Sequence, residues 1–139
     1  MNIRMYQSTD NKSLIALWDI CNLTVSWNDP QKDIKRKIDE NPDLFFVGEI
    51  NGQIIASCMA GYDGHRGWIY YLAIHPDHQK KGLAKLIMTH AENNLKSMGC
   101  PKINLMVRDT NVSVIDFYKT IGYANDSVCV LSKRLEEDE

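Results

Sequence analysis

Apolar residues recur at helical spacing at Leu14, Leu17, Trp18 and Cys21, with polar residues between them. This i, i+3, i+4, i+7 stripe predicts an amphipathic helix capped by Thr9 or Asp10. The short run Asn2 to Tyr6 before it predicts a first strand. Asp29-Pro30 marks a second helix start, because Asp accepts from orphan amides and Pro has no amide to lose at the first helical position. Only Ile34 and Ile38 relieve the charges of that helix, which predicts a thin cover, mostly solvated.

After Asn41-Pro42 the pattern changes to strands. Leu44 to Val47 begins one that ends at Asn51-Gly52, a pair suited to a two-residue hairpin because both positions accept positive φ. Gln53 to Tyr62 returns antiparallel, and a turn over Asp63-Gly64-His65-Arg66-Gly67 leads into the strand Trp68 to Ile74. Gly82 to Met98 then reads as a long helix, with Leu83, Leu86, Ile87, Ala91, Leu95 and Met98 on one face and Gly99 as its stop. A strand over Ile103 to Val107 follows. Asn111 opens a last helix carrying Val114, Phe117, Tyr118 and Ile121, stopped by Gly122. Tyr123 to Leu135 predicts one or two short strands, Leu135 the last packed residue, before a solvated acidic tail, Glu136 to Glu139.

The order is therefore β-α-α-β-β-β-α-β-α-β in one mixed α+β domain over residues 1–139. The strand–helix–strand unit of residues 68–107 should hold its two strands parallel with a right-handed crossover. Val128 to Ser132, an edge strand, leaves both monomer and homodimer open.

Composition narrows the function classes. With 139 residues, 44% hydrophobic and 24% charged, the chain is an ordinary globular domain. Sixteen Lys and Arg against 18 Asp and Glu, net charge −2, argue against a nucleic-acid or anionic-membrane binder. No apolar run approaches the roughly 20 residues of a bilayer span, and MNIRMYQSTDNK lacks the apolar stretch of a secretory signal, so a cytoplasmic location is expected. Cys21, Cys58, Cys100 and Cys129 form no CxxC pair and read as buried, reduced thiols. His75 and His78 have no third ligand nearby in sequence, so no metal is expected.

The chemistry concentrates in His75-Pro76-Asp77-His78-Gln79-Lys80-Lys81-Gly82-Leu83-Ala84, a loop running into a helix N-terminus. The first amides of a helix lack intrahelical acceptors, and its dipole is positive there. Gly82 and Ala84 let a bulky anion approach the backbone, and Lys80 and Lys81 add charge. This is a diphosphate cradle made from main chain, distinct from a P-loop.

Gln79-x-x-Gly82-x-Ala84 after Tyr71-Leu72-Ala73-Ile74 resembles the acetyl-CoA motif of the GNAT superfamily of N-acetyltransferases. Asn111, Phe117-Tyr118 and Gly122-Tyr123 resemble its second cofactor motif, and the order of elements agrees along nearly the whole chain. The strings Trp27-Asn28-Asp29-Pro30, Gly61 to Gly67 and Gly99 to Ile103 bring it closest to the small bacterial YpeA-type members. The resemblance implies a sheet splayed between the strands 68–75 and 102–108. It implies acetyl-CoA as co-substrate, held by Leu72, Ala73, Ile74, Gln79, Lys80, Lys81, Gly82, Leu83, Ala84, Asn111 and Tyr118. An amide of the first splayed strand, that of Ala73, would face the thioester oxygen, and Tyr118 would protonate the departing thiolate.

The general base departs from the family pattern. Met106 stands where N-terminal amine acetylases of the family carry a glutamate, and Trp68 to Ile74 contains no carboxylate. Asp63, His65, Asp109, or a water held by Tyr70 or Tyr71 remain as alternatives. Trp27, Asp63, His65 and Tyr70 are the expected contacts of the acceptor, an amine of a small molecule or peptide. An α-amine, with a pKa of about 8, is easier to acetylate without a strong base than a lysine near 10.4. A cofactor-binding sensor without turnover is the rival reading.

Overall fold

The computed structural model describes residues 1–138. Five strands lie side by side in chain order: β1 (Asn2–Met5), β2 (Phe45–Ile50), β3 (Gln53–Tyr62), β4 (Gly67–Ile74) and β5 (Ile103–Leu105). The first four pair antiparallel, and β4 pairs β5 in parallel. Four helices accompany them: α1 (Asn11–Ile20), α2 (Pro30–Asp39), α3 (Leu83–Ser97) and α4 (Val112–Thr120). Met1–Leu105 together with Asp138 form one compact unit, and Met106–Glu137 a second.

In the first unit, local signals set the elements. Asp29 caps α2 by accepting from Gln31 N and Lys32 N, with Pro30 at the first helical position. Asn51 and Gly52 adopt φ values of 52° and 78° between β2 and β3, the geometry of a two-residue hairpin whose twist matches its strands. Leu14, Leu17 and Trp18 of α1 and Ile34 of α2 pack with Phe45, Val47, Ile54, Met59 and Ala73 of the sheet. Each such large side chain contributes about 1.5–3 kcal/mol on burial. Tyr6 stacks on Phe45, with ring centroids 4.8 Å apart.

Several expectations are corrected. The buried face of α3 is Ile87, Met88, Ala91 and Leu95, whereas Leu86 and Met98 are exposed. That stripe is narrower than the apolar pattern, because flanking leucines tolerate water at little cost. The fifth strand stops at Leu105 instead of reaching Val107, since its ladder with β4 ends at the pair Ile69↔Leu105. Of the cysteines, Cys58 is buried, with its thiol pushed up to about 12 by desolvation, but Cys21 and Cys100 are half-buried and Cys129 is exposed. All four thiols are free.

The second unit carries α4 and no strand among its described residues. Tyr123 to Leu135 predicted one or two short strands, yet Val128, Val130 and Leu131 are exposed and have no ladder partner among the described residues. A strand needs a neighbour for its amides and carbonyls, which an apolar run alone does not supply. Leu135, expected to pack, is also exposed. Of the acidic tail, Glu136 and Glu137 are exposed, Glu139 lies outside the described residues, and Asp138 is buried against Arg36.

One ion pair ties β1 to the start of α1. Arg4 donates from Nη1 and Nη2 to both oxygens of Asp10, at 2.7 and 2.8 Å, and Asp10 Oδ2 also accepts from Gln7 N. These bonds, the Arg4 guanidinium first, hold the buried Asp10 carboxyl below the usual carboxylate range. A carboxylate with a depressed native pKa stabilises the fold above its ordinary value of about 3.9, and that contribution is lost as pH falls through the native value. Asp10→Asn is therefore expected to cost about 2 kcal/mol at pH 7 and progressively less below about pH 4. Urea unfolding of both proteins across that range checks it.

Candidate active site

The register of β3 against β4 slips in the middle of the sheet. Ser57 pairs with Ala73 and Met59 with Tyr70, so Tyr71 and Leu72 together oppose Cys58. This is a β-bulge, and Tyr71 occupies it with φ at +52°. A left-handed conformation costs an aromatic residue roughly 1–2 kcal/mol and persists only where the surroundings impose it.

Three contacts impose it. Ser57, fully buried, accepts from Trp18 Nε1 at 2.9 Å and donates to the Tyr71 carbonyl at 2.7 Å. The Trp18 ring stacks on the Tyr71 ring, with centroids 3.8 Å apart and planes 13° from parallel. The Tyr71 hydroxyl donates to Asp33 Oδ2 at 2.6 Å. Asp33 Oδ1 in turn accepts from Arg36 Nη1 at 3.3 Å, and Arg36 holds Asp138 at 2.9 and 3.0 Å. Burial, and then the Asp33 carboxylate, push the Tyr71 phenol well above its usual range.

The bulge inverts the parity of β4. Gly67 donates to Lys102 O, on the β5 side, and in an unbroken strand every second residue through His75 would face that way. His75 instead donates to Ile55 O, on the β3 side. Beyond the bulge, Ala73 therefore faces β3, and the amides and carbonyls of Leu72 and Ile74 face the other edge. The Ile74 carbonyl accepts there from Gln79 Nε2 at 3.0 Å and from Cys21 Sγ at 3.3 Å. The β5 ladder ends at Ile69, so β4 from Tyr70 to Ile74 has no strand on that side among the described residues.

The open edge leads into the cradle. A 3₁₀ turn over Pro76–His78 is fixed by His75 Nδ1, which accepts from Asp77 N. Lys80 (φ 63°) and Gly82 (φ 78°) then reverse the chain, and Gly82 is the N-cap of α3. The first intrahelical bond is Leu86 N to Gly82 O, so the amides of Leu83, Ala84 and Lys85 have no intrahelical acceptor. A Cβ built on Gly82 would meet nothing within 4 Å, so the helix start is open to a large anion. Lys80 and Lys81 are exposed beside it. Residues 79–84 thus fit a diphosphate, as the resemblance implies.

Other expected residues are placed elsewhere. Asp63 closes the β3–β4 turn, accepting from His65 N and Arg66 N, which hold its carboxyl low. That turn stands at the far end of β4, roughly 13 Å from Tyr71 at the rise of a strand, and the Asp63 carboxylate adds to the upward push on the Tyr70 phenol. Tyr70, directly before the bulge, is partly exposed, with its phenol pushed up first by burial. Trp27 is exposed in the connection between α1 and α2. In the second unit, Met106 and Asp109 are exposed. Asn111 is the N-cap of α4 without a side-chain capping bond, and Tyr118 is buried with Phe117 and Tyr123 against its ring. Sequence reasoning missed Ser57 and Asp33. Ser57 stands out as the lone serine of an apolar strand, whereas Asp33 carries no signal among the charges of α2.

Residues 12–123 match the model of the Acetyltransferase (GNAT) family. An acetyltransferase of Sodalis glossinidius is 48% identical over 140 residues, covering 100% of this chain and 99% of that protein. The fold is similar to a ribosomal-protein alanine N-acetyltransferase of Escherichia coli, with a TM-score of 0.74 and 21% identity over 87% of this chain and 76% of that one. It is also similar to AAC(6')-Iy bound to the bisubstrate analogue CoA-S-monomethyl-acetylneamine, with a TM-score of 0.78 and 14% identity over 96% and 97% of the two chains.

If Ser57 holds the bulge, Ser57→Ala strands a buried indole N–H and a buried carbonyl. The expected loss is about 2–3 kcal/mol, well beyond that of a surface hydroxyl, and is read from denaturant unfolding.

Proposed function

The chain belongs to the GNAT acetyltransferase family, and on that premise we propose that it transfers the acetyl group of acetyl-CoA directly to an amine of a small molecule or peptide. The observation that carries this reading is the open edge of β4 beyond the bulge, which runs into the N-terminus of α3. Backbone groups of Leu72 and Ile74 suit the amides of a pantetheine arm. The Leu72 N–H is better directed than that of Ala73 to meet the thioester oxygen, where negative charge develops as the amine attacks. The amides of Leu83 and Ala84 take the diphosphate, with Lys80 and Lys81 supplying charge. Tyr118 is the proposed proton donor to the thiolate, a role that rests on the family resemblance and on the match between a phenol and a thiol leaving group.

The acceptor is read as an amine because acyl transfer to nitrogen needs only what these residues offer: an oriented thioester, an oxyanion donor and a proton donor for sulfur. Among the described residues, no group of three or more His, Cys, Asp or Glu is placed to hold a metal. Among the described residues, no helix is long and apolar enough to cross a membrane.

Incubation with acetyl-CoA and a panel of alkylamines, amino acids, polyamines and peptides, with thiol release as readout, tests the proposal. Saturable release above hydrolysis is expected, reduced roughly 10²–10⁴-fold by Tyr118→Phe with acetyl-CoA affinity unchanged. Gly82→Val, which crowds the open helix start, should weaken acetyl-CoA binding at least about tenfold by calorimetry. Tight CoA binding without release from any amine would favour a sensor instead.

A further inference from the structure

An amine acceptor arrives largely as an ammonium ion and must lose a proton before it attacks. β4 carries no carboxylate for this, and Met106 stands where N-terminal amine acetylases of the family carry a glutamate. The fold brings one from another element: Asp33 of α2 meets the Tyr71 hydroxyl at 2.6 Å, at the residue that makes the bulge.

Resting on the acetyltransferase reading above, we propose that Tyr71 and Asp33 together accept the proton of the acceptor amine, Tyr71 by touching it and Asp33 through Tyr71. Three observations meet at this pair. Tyr71 directly precedes Leu72, whose N–H faces the open edge, so the phenol and the oxyanion donor belong to adjacent residues of one bulge. The ring is immobilised by its stack on Trp18, and the carboxylate by Arg36 on its other oxygen, so the short bond is held from both ends. Asp33 keeps about a quarter of its side chain in water, at 23% exposure, which gives the proton a way out.

The step balances as a relay. The ammonium gives a proton to Tyr71 Oη as the Tyr71 proton moves to Asp33 Oδ2, leaving a neutral amine, a neutral phenol and a carboxylic acid that returns its proton to solvent. The amine lone pair then forms the C–N bond, and the tetrahedral adduct breaks its C–S bond. The thiolate takes one proton, and the nitrogen sheds its second. Because burial disfavours a free phenolate at Tyr71, the phenol passes a proton on only as it receives one, which is why the carboxylate is required.

Tyr71→Phe keeps the stack on Trp18, and Asp33→Asn keeps an acceptor for the hydroxyl, so both variants should stay folded with a modest drop in Tm and keep their acetyl-CoA affinity. Turnover is compared with the fastest alkylamine of the panel and with hydroxylamine, whose nitrogen is already neutral at neutral pH and needs no base. Enzyme-free hydroxylaminolysis is subtracted. The expected result is a loss of about 10²-fold or more in kcat for the alkylamine in each variant, no further loss in the double variant, and near-wild-type turnover with hydroxylamine. Equal losses with both amines, or unchanged alkylamine turnover, would overturn the pair while leaving the acetyltransferase reading intact. Silence of the wild-type protein with every amine would overturn that reading and the pair with it.

Discussion

Backbone groups of a β-strand alternate between its two edges, and a single extra residue reverses which of them face outward. In β4 that residue is inserted at Tyr71, and the features of the first unit that matter for chemistry follow from it. Ala73 turns toward β3, Leu72 and Ile74 turn to the edge that β5 leaves uncovered, and the strand delivers its last carbonyl to Gln79 at the mouth of the cradle. Without the insertion the same side chains would stand on the same strand with their amides committed to the wrong side.

A left-handed tyrosine is costly, so the bulge needs support from outside its own strand. It comes from α1 through Trp18, from β3 through Ser57 and from α2 through Asp33. Each of these elements is otherwise an ordinary part of the core or its cover, and each donates one polar or aromatic group to the same peptide. The indole both stacks on the tyrosine and donates to the serine that accepts it, so packing and hydrogen bonding constrain the same atoms. Such a site is rigid where a thioester must be oriented, in keeping with the observation that strain concentrates at functional positions.

The legible part of this protein was local. Asp29-Pro30, Asn51-Gly52 and Gly82 mark a helix cap, a hairpin and a helix start by the conformations only such residues adopt readily, and the structure places all three as read. The helix order, the antiparallel β2–β4 meander and the parallel return at β5 follow from hydrophobic period and connection length. The bulge was not legible, because Tyr-Tyr-Leu carries no glycine to announce a positive φ, and only tertiary contacts hold it there. Asp33 was hidden for the same reason: its meaning lies in a residue thirty-eight positions away. The segment beyond α4 forms no strand among the described residues, since the apolar run Val128 to Leu131 suits a strand but does not supply its partner.

The central claim concerns where three consecutive amides point, and amide hydrogen exchange reads that directly. Exchange at Leu72, Ala73 and Ile74 is followed by NMR in the free protein and with CoA added. In the free protein Leu72 and Ile74 should exchange quickly and Ala73 slowly, and CoA should slow the first two while leaving Ala73 as it was. Protection of Leu72 and Ile74 in the free protein, with Ala73 exposed and responding to CoA, would contradict the inverted strand and the account built on it.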